Sequence, residues 1–266
     1  MHPDLKLDLE LALRAARAAG EVVMRAFRGG HEVRYKGPDQ PVTDADLAAD
    51  RILRDLLQGE RPEYGWLSEE TSDSPERLQR QRVWVVDPID GTNSFVQGLA
   101  EFVVSVGLVE DGRAVLGVVY NPATGELYSA TVGGGAFLDG APIRVAAGEA
   151  TAGPWTLLAS RSEMGRGAFE PFGESWTIQP LGSTAYRMVK VAEGVGHAFI
   201  SRGPKKEWDL CGAHVVVREA GGRVTDAAGE PLCYNRPQPV FQGVVASNGA
   251  VHDAILRVPA AEPDPS

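Results

Sequence analysis

The stretch Trp84-Val85-Val86-Asp87-Pro88-Ile89-Asp90-Gly91-Thr92-Asn93 decides how this 266-residue chain is read. Val83 to Val86 is a short apolar run of strand-forming residues that breaks at Asp87-Pro88. The strand thus ends by presenting two carboxylates, Asp87 and Asp90. Pro88 fixes one backbone dihedral between them, and Gly91 permits a sharp bend. Such a turn can aim both carboxylates at one point, where a hard cation such as magnesium finds oxygen ligands. An ordinary Asp-Pro turn with Asx capping uses the same residues, and spacing alone does not separate the two readings.

Downstream, Phe102 to Val109, Ala114 to Tyr120 and Glu126 to Thr131 are separated by Asp111-Gly112 and Asn121-Pro122. They read as consecutive strands joined by tight turns, hence an antiparallel sheet. Gly133-Gly134-Gly135 reads as a close turn, since no helical pattern follows it. Upstream, Leu9, Leu13, Ala16, Val23 and Phe27 recur at helical spacing over Leu5 to Phe27, and Gly29-Gly30 stops that helix. Thr43 begins a second helix as N-cap with Asp46 as its capping-box partner. Leu53, Leu56 and Leu57 form its apolar side and Gly59 its end. The stretch from Gly148 to Pro154 reads as a boundary between an N-terminal α+β half (1–148) and a smaller C-terminal α/β half (149–266). In that second half, strand-like Trp155 to Ser160 and a helical run over Ser183 to Glu193 alternate with further apolar segments, and the tail from Pro259 reads as frayed.

Composition narrows the function. A formal net charge of -10 argues against a nucleic-acid polymer as partner, because phosphate backbones want a basic surface. No stretch approaches the roughly 20 apolar residues that span a bilayer, and the N-terminus reads as an amphipathic helix rather than a signal peptide. Cys211 and Cys233 lack the C-x-x-C spacing of a zinc or redox site. A reducing cytoplasm is the simplest compartment. An acidic chain acting on an anion needs bound cations to invert the local electrostatics.

A second acidic signal lies in Lys206-Glu207-Trp208-Asp209. Ala213, Val216, Val217 and Ala220 mark a helix face there, and Gly221-Gly222 ends it. Asp209 is placed at or near the N-terminus of that helix, where a plain capping aspartate is the alternative.

Together, Asp87-Pro88-Ile89-Asp90-Gly91-Thr92-Asn93 and Trp208-Asp209 with Glu219-Ala220-Gly221-Gly222 resemble the two signatures of the inositol monophosphatase family. Ser68-Glu69-Glu70 and Val42 to Asp46 resemble its remaining motifs, in the expected order, so the resemblance runs from the first helix to about Gly249. It implies a layered αβαβα sandwich and a magnesium-dependent, lithium-sensitive phosphomonoesterase with two or three Mg2+ ions. By the same resemblance, Glu69, Asp87 and the carbonyl of Ile89 would bind one ion, and Asp87, Asp90 and Asp209 a second. Glu70 would reach a third through water, or is a solvated acid. Thr92 would pair with Asp46 to activate the attacking water, although Asp46 has the capping role as an alternative. Four carboxylates sum to four negative charges, which two Mg2+ ions would cancel. The amides after Gly91, with Thr92 and Asn93, would hold phosphate oxygens.

The partner implied is a small phosphorylated metabolite, with no membrane and no nucleic-acid polymer; a homodimer is left open. Ser160-Arg161-Ser162, Gly182-Ser183 with Lys190 to Gly194, Gly203-Pro204 and Leu232 to Asn235 resemble the 3′(2′),5′-bisphosphate nucleotidase branch. That favours adenosine 3′,5′-bisphosphate, with Gly182 and Ser183 at the substrate and Arg202, Lys205 and Lys206 on its second phosphate; a solvated basic loop is their other reading. Inositol 1-phosphate, a sugar bisphosphate, and a non-catalytic metal-binding regulator are the alternatives. Thr92 with Asp46 argues against the last, since a binder needs no group that activates water.

Overall fold

A computed structural model describes residues 3–30, 32–37, 40–148 and 153–260. Four residues of the expected boundary, 149–152, and the last six of the tail lie outside them. The chain begins with α1 (Pro3–Gly29), β1 (Val33–Gly37), β2 (Gln40–Thr43) and α2 (Asp44–Glu60). It continues through β3 (Gly65–Ser68), β4 (Arg82–Asp90) and the single turn α3 (Thr92–Val96). Five further strands follow: β5 (Val103–Glu110), β6 (Arg113–Tyr120), β7 (Leu127–Thr131), β8 (Gly135–Leu138) and β9 (Ala141–Pro142). The rest comprises β10 (Trp155–Ala159), α4 (Arg161–Gly165), β11 (Trp176–Pro180), α5 (Thr184–Ala192) and β12 (Ala198–Lys206). Last come α6 (Glu207–Glu219), β13 (Arg223–Thr225), β14 (Val240–Ser247) and α7 (His252–Arg257).

β3 to β9 form a seven-stranded sheet in chain order, and a five-stranded sheet has the order β11-β10-β12-β14-β13. The first sheet is antiparallel except at its edge, where β3 runs parallel to β4. β3 is four residues long and buried throughout, so it has neither the alternation nor the length that marks a strand in sequence.

Period-two alternation explains the layering. Trp84, Val86, Val104, Val106 and Leu108 pack with α1 and α2 on one face of the first sheet. Val83, Val85, Val103 and Val109 point the other way, into a core shared with α5 and α6. That core also takes Leu158, Phe199, Val244 and Ala246 from the second sheet, whose opposite face packs Leu157, Ala198, Ile200 and Val245 against Phe172, Val251 and Ile255. The result is the five-layer αβαβα sandwich. Both faces of each sheet are covered, which is why the strands read as continuous apolar runs.

Two glycines let α6 lie directly on the first sheet. A Cβ added at Gly117 would fall deep inside the van der Waals radius of the Gly212 carbonyl oxygen, and one at Gly212 would meet Val106 O at 3.0 Å. Gly117→Ala must therefore push α6 outward, carrying Asp209 with it. The expected cost is about 3 kcal/mol. Urea unfolding should show a lower midpoint; an unchanged midpoint would mean that the contact is not made.

Candidate active site

β4 does not stop at Asp87-Pro88, as the sequence suggested; it continues through Asp90 and bulges there. Asp87 faces Ser105 and Asp90 faces Val103, so two residues of β4 oppose one of β5. On a regular strand, residues three apart point to opposite faces. The bulge re-aims the strand end, and both carboxylates line one cleft of about 570 Å³. Gly91 follows with φ of +99°, and its added Cβ would meet Glu101 O at 2.8 Å. Only glycine fits that left-handed turn, which places Thr92, Asn93 and Ser94 of α3 along the cleft.

Glu69, one residue beyond β3, and Asp209, in the first turn of α6, line the same cleft. Asp87 is 1% exposed. Its carboxyl is held well above the ordinary range by burial and then by repulsion from Glu69, Asp90, Asp209 and Asp46. Asp209 is pushed up to about 7 by burial, Asp90 and Glu69, against the pull of Lys205 and the Lys206 backbone bond. This is an anionic cluster that resists full ionisation.

Each of the three aspartates gives one oxygen to a protein donor. Ile89 N donates to Asp87 Oδ1 at 3.0 Å. Ser183 Oγ and Ala185 N donate to Asp90 Oδ2 at 2.6 and 2.5 Å, and Lys206 N donates to Asp209 Oδ2 at 3.0 Å. Among the described residues no three acidic, histidine or cysteine side chains already stand as a closed ligand set. The donor chemistry nevertheless fits divalent cations: hard carboxylate oxygens, buried or half-buried and mutually repelling, lining one cleft.

Asp46 makes the contacts that both readings of it require. Thr43 N and Thr43 Oγ1 donate to its Oδ2 at 2.7 and 2.6 Å, closing the helix cap. Its Oδ1 lies 3.4 Å from Thr92 Oγ1, which also has Ile89 O at 3.0 Å. The single hydroxyl proton is thus shared between two acceptors, with the carbonyl the closer.

Basic residues line the same cleft, and here the sequence expectation is corrected. Lys205 lines the cleft, but Arg202 and Lys206 do not. Neighbours on an extended strand alternate faces, so Lys205 turns inward while Lys206 lies over the Trp208 ring at 5.7 Å. Arg202 sits in a β12 bulge, where Ser201 pairs with Val244 and Pro204 with Gln242. That turns its guanidinium to donate to Val258 O at 2.5 Å. The cations that do reach the cleft are Arg161, Arg166 and Arg187. Arg161 is held by both oxygens of Glu101, whose Oε2 also accepts Gly182 N at 2.7 Å. Arg187 is 4% exposed, and burial lowers its pKa. It donates to Leu181 O at 2.8 Å, bracing the loop that carries Gly182 and Ser183. Ser183 holds φ of +58°, an uncommon conformation for serine of the sort that clusters at functional sites. Ser160-Arg161-Ser162 stood out in the sequence as a motif without a role; its place in the cleft, at the end of β10, follows only from the second sheet's topology. Glu70 does not line the cleft; its amide donates to Ser68 Oγ at 3.3 Å.

A layered fold whose cleft gathers clustered carboxylates, a threonine–aspartate contact and several cations fits a phosphoric monoester hydrolase, and the comparisons with known proteins agree. The sequence matches the model of the inositol monophosphatase family over residues 4–260. It is 38% identical over 235 residues to an inositol-1-monophosphatase of Rhizobium meliloti, covering 84% of this chain and 88% of that one. It is 34% identical over 232 residues to the 3′(2′),5′-bisphosphate nucleotidase CysQ of Escherichia coli, covering 85% and 93%. An inositol monophosphatase structure from Thermotoga maritima superposes with a TM-score of 0.82 at 31% identity, covering 94% of this chain and 95% of that one. The chain belongs to the inositol monophosphatase family.

Proposed function

We propose that this protein is a magnesium-dependent phosphomonoesterase whose preferred substrate is adenosine 3′,5′-bisphosphate, from which it removes the 3′-phosphate. The observation that carries the reading is that one cleft is lined by both Glu69, Asp87, Asp90 and Asp209 and the cations Arg161, Arg166 and Lys205. The carboxylates would hold the ions, with Glu69, Asp87, the Ile89 carbonyl, Asp90 and Asp209 as ligands. Bound there, magnesium would neutralise the carboxylates, polarise the phosphoryl group and acidify a water. The chain supplies the rest: Thr92 and Asp46 orient the attacking water, and the α3 turn positions phosphate oxygens. No covalent intermediate on the protein is needed.

The cations lining the cleft favour an ester with a second anionic group, which inositol 1-phosphate lacks. Inositol 1-phosphate is the second reading, favoured by the name of the rhizobial relative. A charge-assisted contact to a distal phosphate contributes about 1.5–3 kcal/mol, or roughly ten- to a hundredfold in selectivity. Because Glu101 competes for Arg161, the low end is expected there. The test is kcat/KM for both esters in wild type, Arg161→Ala and Lys205→Ala. The nucleotide should be preferred and each substitution should narrow the gap about tenfold, while Arg202→Ala and Lys206→Ala leave it unchanged. A wild-type preference for the inositol ester refutes the substrate assignment.

A further inference from the structure

Arg77 lies outside the cleft, in a 3₁₀ turn over Pro75–Gln79, yet it is 3% exposed. Its guanidinium makes four hydrogen bonds. Nε and Nη2 donate to Asp73 Oδ1 and Oδ2 at 2.6 and 2.8 Å. Nη1 donates to Asn235 Oδ1 at 2.7 Å, and Nη2 also to Arg236 O at 2.9 Å. The Asn235 side chain returns a bond to Arg77 O at 3.1 Å.

Of the two segments gripped in this way, one carries Glu69 and the other is bonded to the start of the helix that carries Asp209. Asp73 closes loop 69–74, which begins with Glu69. The far side of that loop is tied to α2, where Asp50 accepts Ser68 Oγ at 2.5 Å and Thr71 Oγ1 at 2.6 Å. On the other side, the amides of Asn235 and Arg236 donate to Glu207 Oε2 and Oε1 at 2.8 and 2.9 Å. Glu207 is fully buried and begins α6, two residues before Asp209. A continuous chain of bonds therefore runs from the Glu69 loop through Arg77 and residues 235–236 to the start of the Asp209 helix. Glu69 follows the edge strand of the first sheet and Asp209 belongs to the helix between the sheets, so the two acids share no strand or helix that would set their spacing.

We propose that Arg77 is a positioning residue that fixes the separation of Glu69 and Asp209, by joining their two supporting segments through one buried guanidinium. The inference rests on the metal-binding reading of those two acids. Arginine suits this position because its planar fork satisfies four acceptors at fixed angles, which an ammonium cannot do. Loss of the fork would leave Glu69 and Asp209 in place as residues but no longer at a set spacing, and metal affinity is the quantity most sensitive to that. Partners that orient ligands without touching the ion are worth about 10–100-fold in affinity.

The experiment measures Mn2+ binding to the purified full-length protein by the loss of the free-ion electron paramagnetic resonance signal, with Tm recorded alongside. The set is wild type, Arg77→Lys, Asn235→Ala and, as control, Arg61→Lys. Arg61 is another partly buried arginine, which donates to Asp8 Oδ1 at 2.7 Å and closes α2 outside the cleft. The expected result is a Kd weakened about 10–100-fold in Arg77→Lys and about tenfold in Asn235→Ala. Arg61→Lys should bind as wild type whatever its loss in Tm. A folded Arg77→Lys with wild-type Kd overturns the proposal, and so does equal weakening in all three variants, which would report general loosening. Should Arg77→Lys fail to fold, Asn235→Ala decides: unchanged affinity there overturns the proposal. A wild type that binds no Mn2+ removes the metal reading itself, and the inference with it.

Discussion

Asp209→Asn is expected to lose at least about a thousandfold in kcat while the protein keeps its fold and gains stability in chelator. The rate loss follows from charge: in the proposed site two ions would be balanced against four carboxylates, and removing one ligand charge would forfeit several kcal/mol of stabilisation at the developing phosphoryl charge. The fold should survive because an asparagine oxygen can still accept the Lys206 amide that Asp209 Oδ2 accepts at 3.0 Å. Burial, and then repulsion within the cluster, holds Asp87 and Asp209 above the ordinary carboxylate range, and the gain in stability follows from the repulsive part. With no cation to neutralise the cluster, deleting one negative charge relieves its neighbours. Each kcal/mol relieved should raise Tm by roughly 2–4 °C in a chain of this size. Asp90→Asn should behave alike, since one amide oxygen can accept both Ser183 Oγ and Ala185 N. Steady-state kinetics with magnesium and thermal melts in EDTA check both halves. A variant that melts lower in EDTA and retains turnover would show that these acids serve the fold rather than the chemistry.

Thr92→Ala is expected to cut kcat by about 10²–10⁴ with little change in KM, since its hydroxyl is proposed to orient the nucleophile and not the ester. Its Tm should stay near wild type: α3 is capped by Gly91, and Phe95 N bonds Gly91 O at 3.0 Å whatever occupies position 92. Asp46→Asn separates the two roles of one carboxylate. The cap on Thr43 is worth about 1 kcal/mol, and an amide oxygen can replace part of it, so the stability cost should be small. The rate should fall nearly as far as in Thr92→Ala, because the charge beside the hydroxyl is gone. If Asp46→Asn lowers only Tm and leaves kcat intact, capping is its whole function and the water is oriented by Thr92 and the Ile89 carbonyl alone.

Much of this site was legible because its chemistry is local in sequence. Asp87-Pro88-Ile89-Asp90-Gly91 needs only a strand end, a proline and a glycine to be read, and Thr43 with Asp46 is a cap spanning four residues. What escaped depends on pairing between distant segments. The bulge that turns Asp90 into the cleft exists only because β4 pairs with β5 in a shifted register. Likewise, a bulge against β14 turns Arg202 away, although its charge and its place before Asp209 suggested a substrate contact. Arg161 meets Glu101 across 60 residues, and its motif could be noticed but not located. Arg77 belongs to no motif singled out from the sequence, and its partners at Asn235-Arg236 lie 158 and 159 residues away. Among the strands, β3 escaped because four uniformly buried residues carry no period.

The most direct test of the central claim, that this carboxylate cluster binds the metals of a phosphatase, is anomalous diffraction from crystals soaked with Mn2+, which shares magnesium's preference for octahedral oxygen ligands. The account predicts anomalous peaks enclosed by Glu69, Asp87, Asp90 and Asp209, lost from crystals of Asp209→Asn at the position that residue contacts. Peaks elsewhere, or none in a protein that still releases phosphate in excess EDTA, would contradict it.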